Sequence, residues 1–78
     1  MAERIKFIWD FYGEESKPRA IHHIKHLGEF LAAEKLENAH TDLEEVTPQH
    51  HIAYMVVERA MMDSLRQILK PHRGQVYD

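Results

Sequence analysis

From Arg4 to Tyr12 the chain alternates, with Ile5, Phe7, Trp9 and Phe11 on one side and Lys6, Ile8, Asp10 and Tyr12 on the other. A period of two that is rich in aromatic residues predicts a β-strand. Gly13 to Lys17 breaks the alternation, Ser16 suits a helix cap, and Pro18 is tolerated in a first helical turn, where no backbone donor is needed. A first helix is therefore expected to run to about Glu37, with Asn38 as its stop. Its buried stripe would be Ala20, Ile21, Ile24, Leu27, Gly28 and Leu31, with Gly28 allowing close approach to a sheet. His40 to Val46 offers only Leu43 and Val46 to bury among Asp42, Glu44 and Glu45, which fits a charged edge strand better than a helix. Thr47, Pro48 and Gln49 then turn the chain into His51–Val57, a nearly continuous apolar run of the kind found in a central strand. A second helix is expected from about Ala60 to Leu69, striped by Met61, Met62, Leu65, Ile68 and Leu69. Pro71 would stop it, and Lys70, His72 and Arg73 lie where positive charge suits a helix C-terminus. A short strand, Gln75–Tyr77, closes the chain.

The order strand, helix, strand, strand, helix, strand describes a single α+β domain spanning residues 1–78. Carried by RIKFIWDFYG, the two helices, HHIAYMVV and the closing GQVYD, this layout resembles the ferredoxin-like fold over nearly the whole chain. The resemblance is one of element order, without a family motif. It implies a βαββαβ sandwich whose four-stranded antiparallel sheet has the order 4-1-3-2, with both helices on one face. Strands one and three would be central, and both carry apolar residues on both faces. The open face would then keep a wet apolar patch around Ile8, Tyr12 or their odd-numbered neighbours. Among ferredoxin-like proteins the dimeric α+β barrel group covers that face by packing two sheets together, so the resemblance implies a homodimer through the open sheet face.

Composition narrows the classes of function. Seventy-eight residues hold one small core with little room for a large buried substrate. No cysteine is present, which removes disulfides, thiolate metal sites and cysteine nucleophiles. No apolar run approaches the roughly 20 residues that span a bilayer, and the first residues lack a signal-peptide pattern, so a soluble, cytoplasmic protein without membrane contact is expected. Ten basic against thirteen acidic side chains give a net charge of -3, which disfavours nucleic acid. The strand-helix order is shared with RNA-recognition domains, yet HHIAYMVV lacks their basic-Gly-aromatic motif and offers only Tyr54 as a matching aromatic. Seven histidines stand out, enough to reverse the sign of the charge in mild acid.

Candidate chemistry gathers at one rim of the expected sheet, where Asp10, Tyr12, Glu14, Glu15, His22, His23, His50, His51 and His72 would meet. An imidazole oriented by a carboxylate or phenol can move protons near neutrality, so His23 or His51 is the candidate base, with Asp10 or Tyr12 orienting it. His23 lies at the boundary of the buried stripe and is the histidine most expected to be packed. His50 and His51 fall on opposite faces, so at most one can join a given constellation. His22 and His26, four apart, share the solvent side of the first helix with Glu29 and form a candidate metal set. The metalloprotease signature is missing, and plain solvation of an exposed helix face is the simpler reading. Trp9 and Tyr54 could stack a flat ligand, although aromatic residues at alternating strand positions ordinarily build core. No nucleophile elbow or Gly-rich phosphate loop is present, and no cofactor is implied.

The residues therefore favour a small homodimeric binding or regulatory module without catalytic activity of its own. Two alternatives remain open. One is a cofactor-independent acid-base enzyme acting on a small aromatic or carbonyl ligand held between sheet and helices. The other is a divalent-metal or pH-responsive protein built on the histidines.

Overall fold

The structure, a computed structural model, describes residues 3–36 and 38–77. Its elements are β1 (Arg4–Tyr12), α1 (Ser16–Ala33), β2 (His40–Thr47), β3 (His50–Glu58), a 3-10 turn (Arg59–Met61), α2 (Met62–Leu69) and β4 (Arg73–Tyr77). All neighbouring strands are antiparallel in the order β2-β3-β1-β4, which reads 4-1-3-2 when counted from the β4 edge. The edge-strand reading of residues 40–46 holds, and both β3 and β4 begin earlier than the apolar pattern alone indicated.

Opposed residues in an antiparallel ladder share a face, so the register assigns every strand residue to a side. Ile5, Phe7 and Trp9 of β1 align with Val57, Met55 and Ala53 of β3, and with Leu27 and Leu65 from the two helices they form the core. The central position of β1 and β3 follows from their second faces, where Ile8, Ile52 and Val56 are also buried.

The helices depart from their expected stripes for geometric reasons. At about 100° per residue, Ser16, Ala20, His23, Leu27, Phe30 and Leu31 lie on one line, whereas Ile21 and Gly28 are rotated well away from it. Ile21 is exposed, and a side chain at Gly28 would meet no atom within 4 Å, so this glycine does not serve close approach to the sheet. On α2, Leu65 is buried while Ile68, at the edge of the stripe, is 61% exposed.

Helix α1 ends at Ala33, before the expected terminus at Glu37, a residue outside those described. The Lys35 amide donates to the Ala32 carbonyl, and the Leu36 amide donates to that of Leu31. This is a Schellman closure, with Lys35 at φ 54 in the left-handed position and Leu36 folded back beside Leu31 on the core. The apolar Leu36 thus ends the helix by returning to the core, and Asn38 arrives too late to do so.

The open sheet face carries no helix, yet Ile8, Ile52 and Val56 are at most 2% exposed. Long polar and aromatic neighbours cover them. The Lys6 Nζ sits 4.3 Å from the Tyr54 ring centroid and 3.4 Å from Glu44 Oε1. His40 lies edge-on to both Tyr54 and Tyr77, and Tyr12 stacks on His50 at 4.2 Å. The wet patch expected around Ile8 is therefore roofed by this chain's own side chains. Of the residues named for it, only Tyr12 is strongly exposed.

Candidate functional site

Two acid-base clusters form, and the sheet lies between them. The first is on the helix face. His51, 3% exposed, places Nδ1 2.7 Å from Ser16 Oγ and Nε2 3.1 Å from Glu45 Oε1. A carboxylate only accepts, so Nε2 carries the proton toward Glu45, and Nδ1 accepts the Ser16 hydroxyl. The result is a Glu-His-Ser relay with both ring nitrogens satisfied.

Local sequence positions each member. Gly13, at φ 99, adopts a turn that a residue with a side chain would strain, and its carbonyl accepts the Ser16 amide. Ser16 thereby enters the first turn of α1 with its hydroxyl directed to the sheet, and it makes no capping bond. Ser16 is fully buried. A nucleophilic role would need that oxygen to reach a substrate, so in this conformation the relay acts as a brace that pins the start of α1 to β3.

The second cluster is on the open face. Asp10 receives two hydrogen bonds from Arg73, at 3.1 Å each, and lies 2.9 Å from His50 Nε2. The paired guanidinium holds the Asp10 carboxyl below its ordinary range, against the opposing effect of burial, with His50 adding to the lowering. Arg73 is raised by the same bond. Thus Asp10 and Tyr12 orient His50, the histidine not chosen from the sequence, and neither reaches His51 or His23.

His23 stands apart from both clusters. Its ring lies 4.8 Å from Trp9 and 5.7 Å from Phe11, and its Nε2 is buried without a partner. Burial lowers its pKa below 6.5, and nearby His26, His72 and His22 act in the same direction. A shallow depression lined by Phe11, Pro18, Arg19, His22 and His23 opens beside it. Trp9 is core on the helix face and Tyr54 lies on the open face, so they do not stack a common ligand.

The metal candidates do not converge. His22 and His26 bring their Nε2 atoms to 3.0 Å, but Glu29 approaches the other ring nitrogen, Nδ1, of His26 at 3.4 Å. Among the described residues no three metal-ligating side chains share one point. Glu14 and Glu15 are exposed at the turn before α1. His72 Nδ1 accepts the Asp10 amide at 2.9 Å, replacing a backbone acceptor where β4 starts.

A feature missed in the sequence is a cleft of about 400 Å³ between α2 and β4. Ile5, Phe7, Met62 and Val76 give it apolar walls, and Arg66, His72 and Arg73 line it, with no carboxylate among the described residues. Helix α2 is only eight residues long, and β4 adds a further strand beside β1, so the sheet extends beyond the helix that should cover it. The high proportion of basic residues from Arg66 to Arg73 was the available signal, but it resembled an ordinary helix C-terminus.

Comparison with family models, with curated proteins and with solved structures gave no match. What stands is a small α+β protein whose described residues form a four-stranded antiparallel sheet and two helices, neither helix long and apolar enough to cross a membrane.

Proposed function

We propose that this protein is a small binding module of ferredoxin-like type without chemistry of its own, and that it binds in the cleft between α2 and β4. Element order and strand order support the ferredoxin-like assignment, while the distribution of ionisable groups supports the function. The carrying observation is that His50 and His51, the histidines hydrogen-bonded to carboxylates in part-buried pairs, both lie outside the cleft, one on the open face and one sealed under α1. The cleft itself is largely apolar, open to solvent and, among the described residues, free of carboxylates, as expected where a ligand is held by packing and a few polar contacts.

An acid-base enzyme is the weaker reading, since its candidate groups are split by the sheet and engaged with each other. Pairing of two sheets through the open face is also not part of this proposal. Such a dimer would bury Lys6, Glu44, Asp10 and Arg73 and remove their charges from water, a cost of several kcal/mol per ion before any compensation.

The test is a fragment titration followed by amide NMR shifts. Binding that perturbs Phe7, Gly74 and Val76 and returns the fragments unchanged after long incubation is expected. Conversion of a fragment, or shifts clustered instead around Asp10 and His50, would overturn the reading.

A further inference from the structure

The charge of the α2–β4 cleft differs from that of the chain. The whole protein carries thirteen acidic and ten basic side chains, yet among the described residues the cleft is lined by two arginines and a histidine, with no aspartate or glutamate. Of the two arginines, Arg73 is already neutralised by its paired bonds to Asp10. The Arg66 side chain has no hydrogen-bond or salt-bridge partner among the described residues. It projects from the last turn of α2, where the Arg66 backbone carbonyl accepts the Lys70 amide, so its Cα is fixed at the edge of the cleft.

His72 supplies a second donor. Its Nδ1 is occupied by the Asp10 amide, which leaves the proton of the neutral ring on Nε2. Below this polar edge lie Ile5, Phe7 and Met62. One uncompensated guanidinium beside an apolar floor complements a ligand with a single negative charge and an apolar body. A doubly charged phosphate would keep one charge unpaired in a protein whose net charge is -3. The volume of about 400 Å³ suits a molecule of one or two rings.

Resting on the binding reading above, we propose that the cleft takes a small amphipathic monocarboxylate. Arg66 holds the carboxylate through its planar pair of N–H donors, and the apolar body lies on Phe7 and Met62.

The experiment is an amide NMR titration of the native chain and the Arg66→Gln variant with 1-naphthoate and with its uncharged analogue 1-naphthamide. In the native chain naphthoate shifts the Phe7, Gly74 and Val76 amides and binds about tenfold tighter than naphthamide. In Arg66→Gln that advantage disappears, while naphthamide binds as before and the remaining spectrum shows the fold intact. If naphthoate and naphthamide bind the native cleft equally, or Arg66→Gln loses nothing, the carboxylate assignment falls and the binding module stands. If neither compound shifts these amides at millimolar concentration, both the assignment and the binding role of this cleft are overturned.

Discussion

Glu45 Oε1 reaches His51 Nε2 at 3.1 Å because the ladder between β2 and β3 skips Val46. Thr47 pairs with His50 and Glu45 pairs with His51, leaving Val46 bulged out and half exposed. A regular ladder from the Thr47–His50 pair would set Val46 opposite His51 and turn Glu45 to the other face, since strand side chains alternate. One extra residue in one strand thus brings the exposed Glu45 onto buried His51 and completes the relay.

Ser16→Ala is expected to cost about 2 kcal/mol of stability, because it leaves the buried Nδ1 of His51 without a partner. Urea unfolding measures the loss. In a double-mutant cycle with His51→Phe the two changes should be strongly non-additive. Additive losses would mean that the serine and histidine do not act as one brace.

Asp10 is held below its ordinary value of 3.8, chiefly by Arg73. In the window just below that value the unfolded chain takes up the proton first. The pair therefore stabilises the fold fully above about pH 4, and this contribution fades as the pH falls through the lower folded value. Asp10→Asn should remove that part of the acid limb and lower stability at neutral pH. An acid limb below pH 4 identical to the parent's would contradict the pairing.

His23 has the same sign at a higher pH. Its folded value lies below 6.5 because burial opposes the charged ring, so the unfolded state gains the proton first. Stability attributable to neutral His23 is complete above about pH 6.5 and declines as the pH drops below it. His23→Phe retains an aromatic ring against Trp9 and Phe11 and removes the unpartnered Nε2. The variant should melt higher than the parent, with the gap widening from pH 7 to pH 5. A gap independent of pH would show that His23 takes up its proton at the same pH in the folded and unfolded chains.

Lys70 ends α2 at φ 48, a left-handed conformation that disfavours side chains. Lys70→Gly is expected to stabilise the protein by about 0.5–1 kcal/mol, the usual advantage of glycine at such a cap. Chemical denaturation checks this, and a loss of stability would indicate that the lysine side chain contributes more than the backbone strain costs.

The polar roof over Ile8, Ile52 and Val56 bears on assembly. Sedimentation equilibrium at low micromolar concentration and neutral pH should give a monomer. A dimer that dissociates on Lys6→Glu would return the open face to the role of an assembly surface.

The sequence by itself determined the element order, the full extent of β1, the central place of the two strands that are apolar at both parities, and the separation of His50 from His51. These follow from local periodicity, which is present in the chain before any long-range contact forms. Tertiary structure decided the rest. The stripe of α1 depended on which neighbours filled the interface, so His23 and Phe30 turned inward and Ile21 outward. The expected meeting of His23, His51, Asp10 and Tyr12 failed because a rim is one end of a sheet but has two faces, and strand parity divides its residues between them. Glu45 and Arg73 became partners of His51 and Asp10 through cross-strand register, which a bulge and the His72 contact set. Register joins residues 6 to 63 positions apart, and no local pattern records it.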